Sequence, residues 1–394
     1  MTACQFYIGT HASSSQPSIF RCEADFQSGT FTTLYAAEGF SNPSYLAGPR
    51  DGLLYVLGRN AEGGTVLALR EKSDACSRCG SDGPAAPSVS ALTTVSALSS
   101  GGQGPCHISA DPLGEFLLCA NYSSGSISLY DLDSDGRILS LCDFRQYSGT
   151  GFDSGDRQKG PHAHFAAFHS ERDEVLVCDL GLDMVYVYEL DRQGKKLRDT
   201  TRSIRLPDGS GPRHLIFSAG HPGMLCVLTE MANRIFVYQY EPVEKQYHCV
   251  QTISAVCDCN VPSGIAAPLE ELMVPPTADN GSIGCAIRIS ADGKYLFVSS
   301  RLGYQSISAF RCGPDGHLTF CSRCLSGGIT PRDFNLFEGA DASAASGFAS
   351  IYLLVACQDS DLITALRFDR AAESLTLLKM KMQAVKPTCI LPIP

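Results

Sequence analysis

Polar and apolar residues alternate with a period of two along much of the chain, as in SISLY at 126–130 and YVYEL at 186–190, and this predicts half-buried β-strands. Between them lie wholly apolar runs such as FLLCA at 116–120 and VLVC at 175–178, the pattern of a strand covered on both faces. Helical spacing is confined to short possibilities such as PLEELM around Glu270, so almost no helix is expected.

The strands return in a fixed order. Residues 104 to 130 read GPCHISADPLGEFLLCANYSSGSISLY, residues 160 to 188 GPHAHFAAFHSERDEVLVCDLGLDMVYVY, residues 211 to 238 GPRHLIFSAGHPGMLCVLTEMANRIFVY, and residues 284 to 310 GCAIRISADGKYLFVSSRLGYQSISAF. Each unit has a short opening strand, a Pro/Gly/Asp turn, an apolar strand, a small polar turn and an alternating strand, and an outer strand such as RILSLCDF follows. Weaker copies start at Asn42 and Thr330. The amino terminus holds only the later strands of a unit, and KPTCILPIP from Lys386 has the character of the missing opening strand.

Openings at Pro43, Pro105, Pro161, Pro212, Cys285, Pro331 and Pro387 divide the 394 residues into units of about 56, the period of a four-stranded propeller blade. The expected fold is therefore all-β: one seven-bladed β-propeller domain over 1–394, closed by pairing of the carboxy-terminal strand with the amino-terminal blade. Stretches at 71–91, 257–283 and 339–349 fall outside the pattern and are expected as surface loops.

Composition narrows the function classes. A net charge of −10 argues against a nucleic-acid or acidic-membrane partner. MTACQFYIGT has neither the basic nor the apolar segment of a secretory signal, and no run approaches the ~18 apolar residues of a membrane helix. A soluble, cytoplasmic protein is expected, and a monomer, because a closed propeller needs no partner. The 18 cysteines then read as reduced, buried small hydrophobes. Two CxxC pairs, Cys76 with Cys79 and Cys321 with Cys324, have half of a zinc-site spacing; unliganded thiols are the expectation for both.

Against the acidic balance, cations and hydrogen-bonding groups recur at the openings: His107, His162, His164, Arg213, His214, Arg288 and Arg332. Asn121, Asp179, Glu230 and Arg301 follow at the ends of the apolar strands. Opening strands line the channel of a propeller, so these groups gather on one axis as a site candidate. His107 and Arg288 also fit a purely structural role between blades. Arginine grips carboxylate or phosphate in bidentate fashion, so Arg213, Arg301 and Arg332 point to a small anionic ligand.

These motifs together (GPRH before a strand ending at Glu230, PHAH before CDLG, ADGKYLFVSSR and PRDFN) resemble the seven-bladed propeller lactonase family, which includes one type of 6-phosphogluconolactonase and the carboxy-muconate lactonizing enzymes. The resemblance spans essentially the whole chain. It implies ring opening of an anionic lactone, most of all 6-phospho-D-glucono-1,5-lactone of the pentose phosphate pathway, with catalytic residues His164, Arg213, Glu230 and Arg301. His162, His107, His214, Arg332, Asn121 and Asp179 are expected to contact substrate. Ser300 departs from the Asn that many relatives carry before the arginine.

In the expected mechanism His164 is the base on water, or Glu230 orients it or takes that role itself; Arg213 or Arg301 stabilises the oxyanion and the other binds the anion. Water suffices as nucleophile, so no cofactor and no metal are expected; His162 and His164, two apart on a strand, point to opposite faces. The alternatives are a lactonizing cyclase and a non-catalytic propeller that binds a protein partner.

Overall fold

The computed structural model describes residues 3–50, 52–72, 92–153, 157–256, 281–338 and 350–393. Their strands form seven separate antiparallel sheets, each with one inner strand and its neighbours following outward in chain order. Inner strands are Leu46–Arg50 in blade 2, Pro105–Ala110 in blade 3, Ala163–Phe168 in blade 4, Pro212–Phe217 in blade 5, Ile283–Ile289 in blade 6 and Pro331–Phe337 in blade 7. In blade 1 the inner strand is Pro387–Pro392, which pairs antiparallel with Ala3–Thr10 and joins the two ends of the chain. Each inner strand touches the next around the ring, so the architecture is a seven-bladed β-propeller.

Seven apolar clusters, one per blade interface, hold the ring together among the described residues. The apolar runs explain why. On the strand Phe116–Asn121, Leu117 and Cys119 pack towards blade 2 while Phe116, Leu118 and Ala120 pack towards blade 4. Both faces are dry, and each fully buried leucine contributes roughly 1.5–3 kcal/mol. Closure adds directional bonds: Thr388 Oγ1 donates to the carbonyls of Gly9 and Ser44, linking both terminal strands to blade 2.

Two details adjust the sequence expectation. Glu71 and Ile283, placed at the edges of insertions, are strand residues, and the outer strand of blade 4 is broken into Lys196–Asp199 and Ile204–Arg205, both on Met184–Asp191. Residues 73–91, 257–280 and 339–349 of the three insertions, with the PLEELM segment and the Cys76–Cys79 pair, lie outside the described residues. Among the described residues the one helical element is a single turn, Gln358–Ser360, and no helix there is long and apolar enough to cross a membrane. All fourteen described cysteines are free thiols; Cys321 and Cys324 pack at the edge of the blade 6–7 cluster.

Candidate active site

Inner strands carry a register irregularity one residue in. Pairing jumps from Pro105 to His107, Ala163 to Phe165, Pro212 to His214 and Pro331 to Asp333. It jumps likewise between Pro387 and Cys389. The extra residues are Cys106, His164, Arg213, Arg332 and Thr388. A β-bulge frees its extra residue from the ladder and re-aims it. All five line one cavity, together with His11, Ser44, Tyr45, Pro105, His214 and Asp333. The void measures about 360 Å³ with its open mouth. A ring of bulges thus turns strand residues into a funnel wall.

Glu230 pairs with Arg213 of this wall and gathers the cations around it. It follows the second strand of blade 5 and is 1% exposed. Its Oε2 accepts from Arg213 Nε at 2.8 Å, and its Oε1 accepts from Arg157 Nη2 at 2.7 Å and Arg301 Nη2 at 2.9 Å. Burial alone would raise the carboxyl pKa, but the surrounding guanidiniums outweigh it and hold the group far below the ordinary carboxylate range. So strongly ionised a carboxylate is a poor proton acceptor at neutral pH.

The His164 imidazole has no hydrogen-bond partner among the described residues, and its Nδ1 is buried. Burial, reinforced by Arg213 and partly opposed by Glu230, pushes its pKa well below 6.5, so the ring is neutral at pH 7 with a lone pair available. Its ring centroid lies 5.3 Å from that of His214 and 5.5 Å from Tyr122. Arg213 is fully buried; besides Glu230 it donates to His214 Nε2 at 3.1 Å and to the Cys285 carbonyl.

Arg332 is the contrasting guanidinium. It lines the cavity with no ion pair or hydrogen bond among the described residues. Burial first, and then the positive charge of Arg213, pull its pKa down. An anion in the cavity would reverse both effects. Three guanidiniums, Arg157, Arg213 and Arg301, share the Glu230 carboxylate, and Arg332 is the fourth beside them without one.

The other expected residues sit elsewhere in the same architecture. His162 lies just outside its strand, stacked on Tyr122 at 4.4 Å, and its Nδ1 donates to the Tyr122 carbonyl at 2.9 Å. Asp179 accepts from the backbone N–H groups of His162, Gly181 and Leu182 through one oxygen, and burial raises its pKa to about 6. Asn121 is wholly buried and donates to the Ser100 carbonyl. His107 packs deep between Tyr45 and Phe165; its Nδ1 accepts from Ala166 N–H, and burial lowers its pKa to about 3. Arg288 pairs with Asp333 at 2.7 Å, the structural role expected for it.

Arg157 and Tyr122 were not singled out from sequence. Arg157 reaches from the blade 3–4 connection to Glu230 on blade 5, and both its Nε and Nη2 donate to the Tyr122 hydroxyl. It stands in DRQKG, outside the repeating unit, so no repeat position marked it. Cys106 could have been found, since GPCH, GPRH and TPRD align it with Arg213 and Arg332.

Residues 5–392 match the protein family described as lactonase, 7-bladed beta-propeller. The chain is 27% identical over 397 residues to the 6-phosphogluconolactonase of Bacillus subtilis, with 99% of this chain and 98% of that protein covered. Among solved structures, a putative 6-phosphogluconolactonase from Bacteroides uniformis superposes with a TM-score of 0.79 at 24% identity, covering 100% of both chains. The periplasmic gluconolactonase of Pseudomonas aeruginosa superposes with a TM-score of 0.78 at 23% identity, covering 100% of this chain and 99% of that one.

Proposed function

The chain belongs to the seven-bladed β-propeller lactonase family, and on that premise we propose that it hydrolyses a small anionic lactone, foremost 6-phospho-D-glucono-1,5-lactone, to the open-chain acid. The observation that carries this reading is the charge arrangement in the funnel: an unpaired Arg332 and a neutral, unpartnered His164 in one cavity beside three guanidiniums that share Glu230. The named Bacillus relative supports the substrate class.

A water molecule near His164 attacks the lactone carbonyl carbon as the imidazole takes its proton. The carbonyl π-electrons move to oxygen, giving the tetrahedral oxyanion. When that collapses, the ring C–O bond breaks, and the departing alkoxide takes the proton back from the imidazolium. The acid product ionises. His164 thus acts as base and then as acid, a role worth typically 10²–10⁴-fold. Arg332 holds the substrate anion, and the guanidiniums around Glu230 keep the potential positive where negative charge develops.

The relatives favour neither a lactonizing cyclase nor a non-catalytic binding propeller. The deciding experiment assays a panel of phosphorylated, carboxylated and uncharged lactones with spontaneous opening subtracted. Saturable acceleration of the phosphorylated lactone is expected; no acceleration of any lactone would reject the reading.

A further inference from the structure

One polar group in the funnel has no role in the steps above. Arg213 Nη1 donates to Nε2 of His214. A guanidinium has only donors to offer, so Nε2 must be the nitrogen with the free lone pair. Burial, followed by the positive charge of Arg213, pushes the His214 pKa well below 6.5, and the ring is neutral. A neutral imidazole has one proton, which therefore sits on Nδ1. That nitrogen is buried and meets no partner among the described residues.

Its neighbours offer no acceptor. His107, 6.0 Å away between ring centroids, already accepts at Nδ1 from Ala166 N–H, so its own proton is on Nε2 and faces no need for another donor. The 5.3 Å centroid separation from His164 brings no hydrogen bond between the rings. A buried donor left unmade is costly, and His214 lines the cavity, so a ring there that keeps such a donor suits a ligand acceptor. Arg213, meanwhile, is occupied by Glu230, the Cys285 carbonyl and His214.

Resting on the lactonase reading, we propose that His214 Nδ1–H donates to the lactone carbonyl oxygen and to the oxyanion it becomes, while Arg213 is the positioning residue that fixes the tautomer. The proton stays on Nδ1 throughout. The hydrogen bond strengthens as charge collects on the oxygen, which is the condition for lowering a barrier instead of merely tightening binding.

Two measurements test this. Long-range nitrogen–proton NMR of histidine-labelled protein should show His214 neutral with its proton on Nδ1; a proton on Nε2 overturns the proposal without any variant. In kinetics with 6-phosphogluconolactone, His214→Ala should lower kcat by about 10²–10³ with KM within about threefold. His214→Gln, whose amide can donate, should recover part of that loss, with a thermal melt confirming that both variants fold. An unchanged kcat, or a change confined to KM, overturns the role of His214. A wild-type protein inactive on every lactone overturns the lactonase reading itself, and that result is distinct because the tautomer measurement needs no turnover.

Discussion

Arg213 and Glu230 form an ion pair at 2.8 Å in which neither side chain is more than 2% exposed, and two further guanidiniums close on the same carboxylate. Removing one member of such a set leaves charge buried without its partner, a loss of about 3–5 kcal/mol. Glu230→Gln should lower the thermal midpoint and slow turnover together. A variant with wild-type stability would show that the guanidiniums need no carboxylate among them.

The acid limb of catalysis should lie low. His164 must be neutral to accept a proton, and its pKa is pushed below 6.5 by burial and Arg213. The kcat/KM for a lactone should therefore hold below pH 6.5 before falling, because kcat/KM reports the free enzyme. A midpoint at or above 6.5 would place another group in control. His164→Ala should lower kcat by 10²-fold or more by the same principle.

Arg332 is expected to select charge. Arg332→Gln should raise KM for a phosphorylated lactone by about tenfold or more, since charged hydrogen bonds contribute about 1.5–3 kcal/mol. An uncharged lactone, lacking the group Arg332 holds, should change little. Equal losses on both substrates would move Arg332 from anion binding to the reacting centre.

Stability should fall in mild acid through the buried histidines. The folded pKa of His107 is about 3 against an ordinary value of 6.5. Below pH 6.5 the unfolded chain takes a proton that the folded one refuses, so this contribution is complete above 6.5 and lost as pH falls towards 3. The slope is about 1.4 kcal/mol per pH unit. His107→Phe should remove about 2 kcal/mol of the loss between pH 7 and pH 5, read by urea unfolding. Asp179, raised to about 6, works in the opposite sense, favouring the folded state as pH falls through 6.

Packing and chemistry meet at Gly284. A methyl group there would lie 2.3 Å from the Thr229 carbonyl oxygen, and the Gly284 N–H donates to the Glu230 carbonyl. Gly284→Ala should cost about 1–3 kcal/mol through overpacking and disturb Glu230. Full activity at reduced stability would show that Glu230 keeps its place when its backbone is pushed.

The sequence alone determined the architecture. Alternation, apolar runs and the recurring openings are local, and a sevenfold repeat of one four-strand unit leaves closure as the way to bury every blade on both faces. It also marked His164, Arg213, Glu230, Arg301 and Arg332, because residues in matching columns of a repeat occupy matching places around an axis. Tertiary structure decided what those residues do. Period-two alternation assigns side chains to faces only while the ladder stays in register, and the bulges at Ala163–Phe165, Pro212–His214 and Pro331–Asp333 break that rule where the candidate chemistry lies. Asn121 and Asp179 share a column with Glu230, yet the Asn121 amide N–H and one Asp179 oxygen are taken up by nearby backbone, which no column reveals. Arg157 joins the site from outside the repeat, brought to Glu230 across 73 residues of sequence. Which guanidinium is paired and which imidazole nitrogen is left without a partner depends on distances between blades, and only closing the ring sets those.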